Sequence, residues 1–200
     1  MVKSTCKMCR RLGVSVCGKV TCALKKRAYP PGQHGKSYRR GVSEFALQLA
    51  EKQKVKRTYG LRERQFRKYF DMAAKSKSMT ATVLGRLLET RLDNAAYRLG
   101  FSSSRSQAHQ MVGHGHLTVN GRRVNVPSYT VKAGDVIAVR DGSASKKMFQ
   151  DVRALVKNHE APTWLELNKE TLKATVKRMP EGEELDLPFN MQRIVEFYSR

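Results

Sequence analysis

Apolar residues recur every three or four positions over residues 43–100, which is the spacing of one face of a helix. They predict three helices. Ser43 is expected to be the N-cap of the first and Gly60 its stop, and Gly100 lies just past the last. The third apolar stripe is unbroken and predicts one helix from Thr80 to Leu99. The expected buried stripes are Phe45, Leu49 and Gln53; Phe66, Tyr69, Phe70 and Ala73; and Leu84, Leu87, Leu88, Leu92, Ala95 and Leu99.

The next part of the chain predicts one short helix and then strands, where apolar residues alternate with polar ones. Residues Ser102–Ser104 can cap a short helix, RSQAHQMV. The segment HLTVNGRRVNV then alternates on both sides of Asn120-Gly121, the preferred dipeptide of a type I′ turn, and predicts a hairpin. YTVKAGDVIAVR predicts more strand. Residues 91–150 should therefore form two helices followed by a small antiparallel sheet, with Val119, Val124, Val126, Val131, Val136 and Ile137 in its core.

The pattern is mixed from residue 151 onward. DVRALVKNH predicts a short helix, WLELN a strand or turn, and KETLKATVKRM a second helical piece. MPEGEELDLP reads as an acidic loop. The segment FNMQRIVEFYS contains four large apolar residues that should bury against residues 43–90, because an exposed apolar patch is unfavourable. These four are Ile194, Val195, Phe197 and Tyr198. The expected fold class is α+β.

Charge changes the picture, because the net charge of +22 is very uneven. Residues 1–70 hold 19 Lys and Arg against 3 Asp and Glu, whereas residues 151–200 hold 8 against 9. A field this strong predicts a polyanionic partner, with nucleic acid the leading candidate. An anionic membrane surface is a weaker one, because the basic stretches lack a long apolar face. A protein that is merely basic stays a third interpretation.

The chain has no run of eighteen apolar residues, and MVKSTCKMC lacks the apolar region of a secretory signal. We therefore expect a cytoplasmic protein without a membrane partner. Structural disulfides are rare in that compartment.

All four cysteines lie in CKMCRRLGVSVCGKVTC, with the spacing C-x2-C-x7-C-x4-C. Two close pairs can surround one ion with four thiolates, as in structural zinc sites, and nearby cations favour the thiolate. The predicted ligands of one Zn²⁺ are Cys6, Cys9, Cys17 and Cys22. An iron–sulfur cluster is the alternative that spacing leaves open. Seventeen residues cannot bury a core, so the metal would supply the folding energy.

Residues 23–42, ALKKRAYPPGQHGKSYRRGV, look irregular because proline and glycine interrupt them. Cations here alternate with Tyr29, His34 and Tyr38. On RNA, the cations could meet phosphates while the rings stack on bases. A flexible basic linker is the alternative interpretation.

At this level of detail the sequence resembles the bacterial small-subunit ribosomal protein four family. The most specific match is LLETRLDNAAYRLGFSSSRSQAHQMVGHGHLTVNGRRVNVPSY, residues 87–129, which is similar to the αL RNA-binding module. RAYPPGQHG, EKQKVKRTYGLRERQFRKYF, KAGDVIAVR, PTWLELN and IVEFYSR match as well. The family has members with and without the four cysteines, and this chain resembles the metal-bearing type.

The resemblance implies a domain organisation in which the tail returns to the first domain. Residues 1–42 would be a zinc knuckle and basic extension, and 43–90 a helical domain completed by 188–200. Residues 91–152 would be the αL module, and 153–187 the remainder of the second domain.

The resemblance also implies a function. The protein would be a structural constituent of the small ribosomal subunit, a primary binder of its ribosomal RNA that nucleates assembly, and a contributor to translational fidelity. Implied partners are ribosomal protein five and messenger RNA where it enters the subunit. No small-molecule substrate is implied.

The alternative function is an RNA-modifying enzyme or its accessory, or another RNA-binding protein that uses the same αL module. The triplet Arg91-Leu92-Asp93 resembles a catalytic triplet of one pseudouridine synthase class. It falls inside the predicted helical stripe, however, and no residues remain for a catalytic domain, so we expect no enzyme activity. A zinc-finger transcription factor is disfavoured, because Pro-Pro-Gly rather than a recognition helix follows the cysteines.

The residues expected to touch RNA are cations, amides and rings, with phosphate and shape recognition dominating. In the first domain they are Lys26, Arg27, Tyr29, His34, Lys36, Arg39, Arg40, Lys52, Lys54, Lys56, Arg57, Arg62, Arg64, Arg67 and Lys68. In the module they are Arg91, Asn94, Arg98, Ser104, Arg105, Gln107, His114, Asn120, Arg122 and Arg123. For His109, His114 and His116, core or capping roles remain as open as RNA contact. The acidic residues 181–186 lack calcium-loop spacing and should face away from RNA.

Overall fold

The computed structural model describes residues 5–19, 21–37, 41–157, 159–185 and 189–199. The chain divides into two compact units. Unit 1 comprises Met1–Gly85 together with Asp186–Arg200, and unit 2 comprises Arg86–Leu185. None of the helices in the described part of the chain is long and apolar enough to cross a membrane.

Unit 1 is helical. Its helices are α1 (Cys6–Leu12), α2 (Ala23–Lys26), α3 (Glu44–Thr58), α4 (Glu63–Ala74) and α10 (Met191–Tyr198), and α5 (Thr80–Glu89) crosses into unit 2. A short 3-10 turn covers Gln33–Lys36. Ser43 caps α3 as predicted, because its side chain accepts a hydrogen bond from the Ala46 amide.

The buried face of α3 differs from the prediction. Phe45 is 49% exposed, whereas Gln48, Lys52, Val55 and Lys56 are buried. The apolar period did not predict this face, because two of its residues are lysines. Lys52 and Lys56 bury their aliphatic stems, and their ammonium groups form ion pairs with Glu63 of α4. On α4 itself the predicted stripe is confirmed: Phe66, Tyr69, Phe70 and Ala73 are all buried.

Helix α10 lies against α3 and α4. Ile194 is fully buried, Phe197 contacts Phe45 with ring centroids 5.6 Å apart, and Tyr198 stacks on Phe70 at 4.6 Å. The Asn190 amide also donates to the Glu51 carboxylate at 3.1 Å. A segment more than a hundred residues away in sequence therefore completes the core that α3 and α4 begin.

Unit 2 combines helices with one antiparallel sheet. Its helices are α6 (Leu92–Arg98), α7 (Arg105–Gly113), α8 (Asp141–Ala144) and α9 (Lys147–Lys157), and its strands are β1 (Leu117–Val119), β2 (Arg122–Val124), β3 (Val136–Val139), β4 (Leu165–Asn168) and β5 (Lys173–Val176). The strand order is β2-β1-β3-β5-β4. The sheet thus includes strands from both 91–152 and 153–187.

The hairpin prediction is confirmed. Leu117 pairs with Val124 and Val119 with Arg122. Asn120 and Gly121 at the turn both have positive φ, 51° and 78°, as a type I′ turn requires. Helix α7 is capped by Ser104, whose side chain accepts from the Gln107 amide.

The single helix predicted over residues 80–99 was wrong. The chain leaves the helix at Thr90 and Arg91, and α6 starts anew at Leu92. Arg91 forms a β-bridge with Thr130, and the neighbouring amides of Leu92 and Val131 donate to Tyr129 and Thr90 carbonyls. Long-range pairing thus replaces the helical hydrogen bonds, although the apolar residues on both sides stay buried.

The second helical piece predicted at KETLKATVKRM was also wrong. Residues Lys173–Val176 form strand β5 between β3 and β4. Burial alternates along it, with Ala174 and Val176 inside. Two of the valines assigned to the sheet's core, Val126 and Val136, are 50% and 36% exposed. Val119, Val131 and Ile137 are buried in the core as predicted, together with bulky side chains such as Phe101, Phe149 and Trp164.

Candidate metal centre and nucleic-acid interface

The four cysteines converge, although they come from different local structures. Cys6 and Cys9 lie on α1, Cys17 follows in a loop, and Cys22 precedes α2. The sulfurs of Cys6, Cys17 and Cys22 lie within 4.8 Å of one another. Cys9 is fully buried beside them and shares hydrogen bonds with Cys17 and Cys22. Four sulfur donors in one cluster fit a thiophilic metal ion.

The surroundings act oppositely on two of these thiols. Burial and the hydrogen bond with Cys17 raise the pKa of Cys9 to about 12. Burial of Cys22 is outweighed by the Leu24 amide and the Ser15 hydroxyl, which lower its pKa to about 7. The apolar cluster around the cysteines is small, since among the described residues only Cys9, Val16 and Cys22 are fully buried in it. Its stability without metal should therefore be low.

Helix α1 also organises part of the basic segment that follows. The Arg10 guanidinium donates to the carbonyls of Tyr29 and Pro30 at 3.0 and 3.1 Å and lies 4.8 Å from the Tyr29 ring centroid. Lys36 lies over the same ring at 5.2 Å. Gly35 is packed so closely that a Cβ there would lie 2.1 Å from the Pro30 carbonyl oxygen. Residues 29–36 are therefore an ordered turn rather than a loose linker.

The candidate RNA-binding residues of unit 1 fall into two groups. Lys52 and Lys56 are buried on Glu63, and Lys54 is paired with Glu51 at 2.6 Å, so these three lysines serve the fold. The others keep exposed or half-buried side chains: Lys26, Arg27, Tyr29, His34, Lys36, Arg57, Arg62, Arg64, Arg67 and Lys68. Arg39 and Arg40 lie outside the described residues.

In unit 2, the expectation that Arg91, Asn94 and Arg98 form one RNA-facing set needs correction. Arg91 is 1% exposed and holds Asp93 through two hydrogen bonds of 3.0 and 2.6 Å. Asn94 is 2% exposed and donates to Glu89. Of the three, only Arg98 reaches the surface, with 31% of its side chain exposed. The break in the helix turned the first two inward.

The ion pair also explains the triplet Arg91-Leu92-Asp93. The Asp93 carboxylate accepts from Arg91 and contacts His109 Nδ1 at 2.9 Å. It is 5% exposed and is the shared partner of the Arg91 guanidinium and the His109 ring. This arrangement joins α6 to α7 and gives His109 a structural role.

Several other candidates of the module are engaged within it. Gln107 accepts from the Ser103 amide and hydroxyl, and Ser104 caps α7. Asn120 bonds Asp135 and the Val136 amide. His116 is buried against Ser143 at 3.0 Å, and burial together with Lys146 lowers its pKa. The exposed candidates of the module are His114, Asn120, Arg122 and Arg123, and Arg105 is half-buried.

The sequence analysis did not identify the two carboxylates that accept hydrogen bonds from the arginines of unit 2. Glu89 and Asp93 are both buried, and they hold the arginines that were noticed. No spacing pointed to Glu89, since it lies nine positions before Arg98 across the helix break.

The comparisons with known proteins agree with this architecture. Residues 2–89 match the family described as "Ribosomal protein S4/S9 N-terminal domain", and residues 90–137 match "S4 domain". Small ribosomal subunit protein uS4A of Symbiobacterium thermophilum is 49% identical over 98% of this chain and 96% of its own length. The uS4 proteins of Thermus thermophilus and Aquifex aeolicus are 48% and 50% identical, covering 98% and 97% of this chain and 96% and 95% of their own lengths. The chain therefore belongs to the family of small ribosomal subunit protein uS4.

Proposed function

We propose that this protein is a structural constituent of the small ribosomal subunit and binds the subunit's ribosomal RNA. The observation that carries the proposal is a sequence identity of 49% and 48%, over 98% of this chain, with proteins named for that subunit. The net charge of +22 supplies the attraction that a polyphosphate partner needs. Relatives in this family are ribosomal proteins rather than enzymes, and no catalysis is proposed.

The proposed RNA surface of unit 1 is the exposed cationic face of α4 and the ordered turn at residues 29–36. Four neighbouring cations mark the first of these: Arg62, Arg64, Arg67 and Lys68. In unit 2 the surface is formed by Arg98 and Arg105 on the helices and by Arg122 and Arg123 on the edge strand β2. Arg123 is held in place, since it donates to the His114 carbonyl and lies against Gly115.

Filter binding to a transcript of Thermus thermophilus small-subunit ribosomal RNA, measured over a range of salt concentrations, tests this function. The wild-type protein should bind with a steep salt dependence. Replacing the four α4 cations with glutamine should flatten the log–log slope by about 3 to 3.5 if all four contact phosphate, since each lost contact removes about 0.7 to 0.9. Deleting residues 1–42, which carry 11 Lys and Arg, should also flatten the slope.

A charge-matched variant provides the control. Lys169, Lys173, Lys177 and Arg178 are exposed and lie on or beside β4 and β5. Replacing these four with glutamine removes the same charge from outside the proposed surface. Equal effects of the two variants would mean that net charge alone drives binding. Failure of the wild-type protein to bind the transcript, or to sediment with small subunits, would refute the function.

We also propose that Cys6, Cys9, Cys17 and Cys22 together hold one Zn²⁺ ion. When bound, the ion would supply the cross-link that the small cluster around Cys9 cannot provide. Elemental analysis should find one zinc per chain, and titration with a thiol reagent should find no accessible thiols. Iron with visible absorbance would indicate a cluster instead, and four free thiols without metal would refute both.

The remaining partners rest on the family alone. We propose a contact with ribosomal protein five, a position near the entering messenger RNA, early binding in subunit assembly and a role in fidelity. Glu181 is paired with Arg86 at 2.7 Å, so the acidic segment is in part neutralised within unit 2. The side chains of Glu183 and Glu184, and the whole of Asp186, lie outside the described residues. Reversing all four charges should leave affinity for isolated RNA unchanged or slightly raised.

A further inference from the structure

Glu89 is a buried acidic residue next to the candidate RNA-binding residues of unit 2. It is the last residue of α5, and its side chain is 1% exposed. A buried carboxylate is unfavourable unless charged donors satisfy it. Here the donors are the Arg98 guanidinium, at 2.9 Å from Nε and 3.0 Å from Nη2, and the Asn94 amide at 2.8 Å. The Glu89 carboxylate thus binds the Arg98 guanidinium in a bidentate geometry.

The same carboxylate reaches a second arginine through a relay. Asn94 donates to Glu89 with its nitrogen, and its oxygen accepts from Arg105 Nε at 2.8 Å. The Arg105 guanidinium also lies over the Tyr97 ring, 4.4 Å from its centroid. The buried Asn94 therefore faces Glu89 on one side and Arg105 on the other.

We propose that Glu89 is a positioning residue for RNA binding, which holds Arg98 directly and Arg105 through Asn94. This inference rests on the proposed function. Long arginine side chains lose rotational freedom when they meet a phosphate. A network that fixes them beforehand removes much of that loss. Both arginines keep part of their surface exposed on the module, at 31% of the side chain for Arg98 and half-buried for Arg105.

The proposal predicts an effect opposite in sign to simple electrostatics. Glu89→Gln removes a negative charge, so the net charge rises by about one, and a field-driven interaction with RNA should strengthen. Loss of positioning should weaken it instead. Glu181→Gln is the matched control, because it makes the same charge change at a pair whose carboxylate side chain is 64% exposed.

The experiment measures Kd for the Thermus thermophilus small-subunit ribosomal RNA transcript with full-length protein. Glu89→Gln should bind about tenfold more weakly than wild type, the scale expected when two long side chains must be ordered on binding. Glu181→Gln should bind equally or slightly more tightly. Equal or tighter binding by Glu89→Gln would overturn the proposal. If wild type itself does not bind, the proposed function fails rather than this inference.

A double-mutant cycle separates positioning from damage to the fold. In an Arg98→Gln, Arg105→Gln background, Glu89→Gln should cause no further weakening, because its targets are gone. An undiminished loss there would mean that Glu89 acts through the fold, and the proposal would be wrong.

A second variant covers the case in which Glu89→Gln melts below the assay temperature. Asn94→Ala removes the relay to Arg105 and one donor of Glu89, but it keeps both hydrogen bonds between Glu89 and Arg98. It should weaken binding in the wild-type background and have no effect in an Arg105→Gln background. Equal weakening in both backgrounds would overturn the inference.

Discussion

Replacing Glu63 with glutamine should weaken the attachment of α10 to α3 and α4. The Glu63 carboxylate is the common partner of Lys52, Lys56 and the Tyr198 hydroxyl, the last at 2.8 Å. It therefore joins α3, α4 and α10 at one point. Lys52 also lies 4.4 Å from the Phe197 ring centroid, so the apolar contacts of α10 continue the same cluster.

The magnitude follows from the pKa of the carboxyl. Burial opposes ionisation, but the hydrogen bonds from Lys52, Lys56 and Tyr198 outweigh it and lower the pKa of Glu63 from 4.5 to about 2. That fall corresponds to at most about 3 kcal/mol. The Glu63 side chain is 45% exposed, and screening by solvent reduces the figure, so we expect Glu63→Gln to lower the free energy of unfolding of unit 1 by about 1 to 2 kcal/mol.

The stabilisation by Glu63 should depend on pH. Because the folded pKa lies below the unfolded value, this stabilisation is complete above about pH 5 and is lost as the pH falls toward 2. Thermal melting should separate wild type from Glu63→Gln at neutral pH, and the difference should shrink in acid. Hydrogen exchange at neutral pH should show faster exchange in α10. The exposed pair Glu166–Lys177 supplies the control, and Glu166→Gln should change little. A difference that is constant from neutral to acid pH would refute the reasoning.

Three shorter predictions concern other contacts. Gly35→Ala should disorder the turn at residues 29–36, because its Cβ meets the Pro30 carbonyl; protease should cut there faster. Arg10→Ala should have the same effect with the metal retained, and unchanged cleavage would show that the turn holds itself. Asp93→Asn should lower the free energy of unfolding of unit 2 by about 3 kcal/mol or more, measured by urea, because it leaves the buried Arg91 without its counter-ion; a loss within about 0.5 kcal/mol would contradict this.

Local signals in the sequence were reliable where the chain decides its own structure. The caps Ser43 and Ser104, the Asn120-Gly121 turn and the apolar stripe of α4 depend on neighbouring residues, and all are confirmed. The cysteine cluster was equally local, since all four cysteines fall within seventeen residues. The identity of the metal does not follow from this geometry, so zinc stays a prediction.

The errors arose where distant segments compete with local preference. The helix at residues 80–99 breaks because Thr90 and Arg91 pair with residues 130–131, and the strand β5 forms because β3 and β4 flank it. A one-dimensional pattern cannot register partners 40 residues away. The same lack of three-dimensional information affected the RNA-binding prediction. Arg91 was predicted to contact RNA, but it is buried in an ion pair with Asp93.

The two-part composition of unit 1 has a consequence for how the protein is made. Unit 2, a stretch of 100 residues, is synthesised between the α3–α4 pair and the helix that covers it. At 5 to 20 residues per second, the gap lasts roughly 5 to 20 seconds. By the end of that time unit 2 has every strand of its sheet, whereas Phe66 and Phe70 still lack the Tyr198 ring. The order of synthesis therefore favours the RNA-binding module as the first part of the nascent chain to become native.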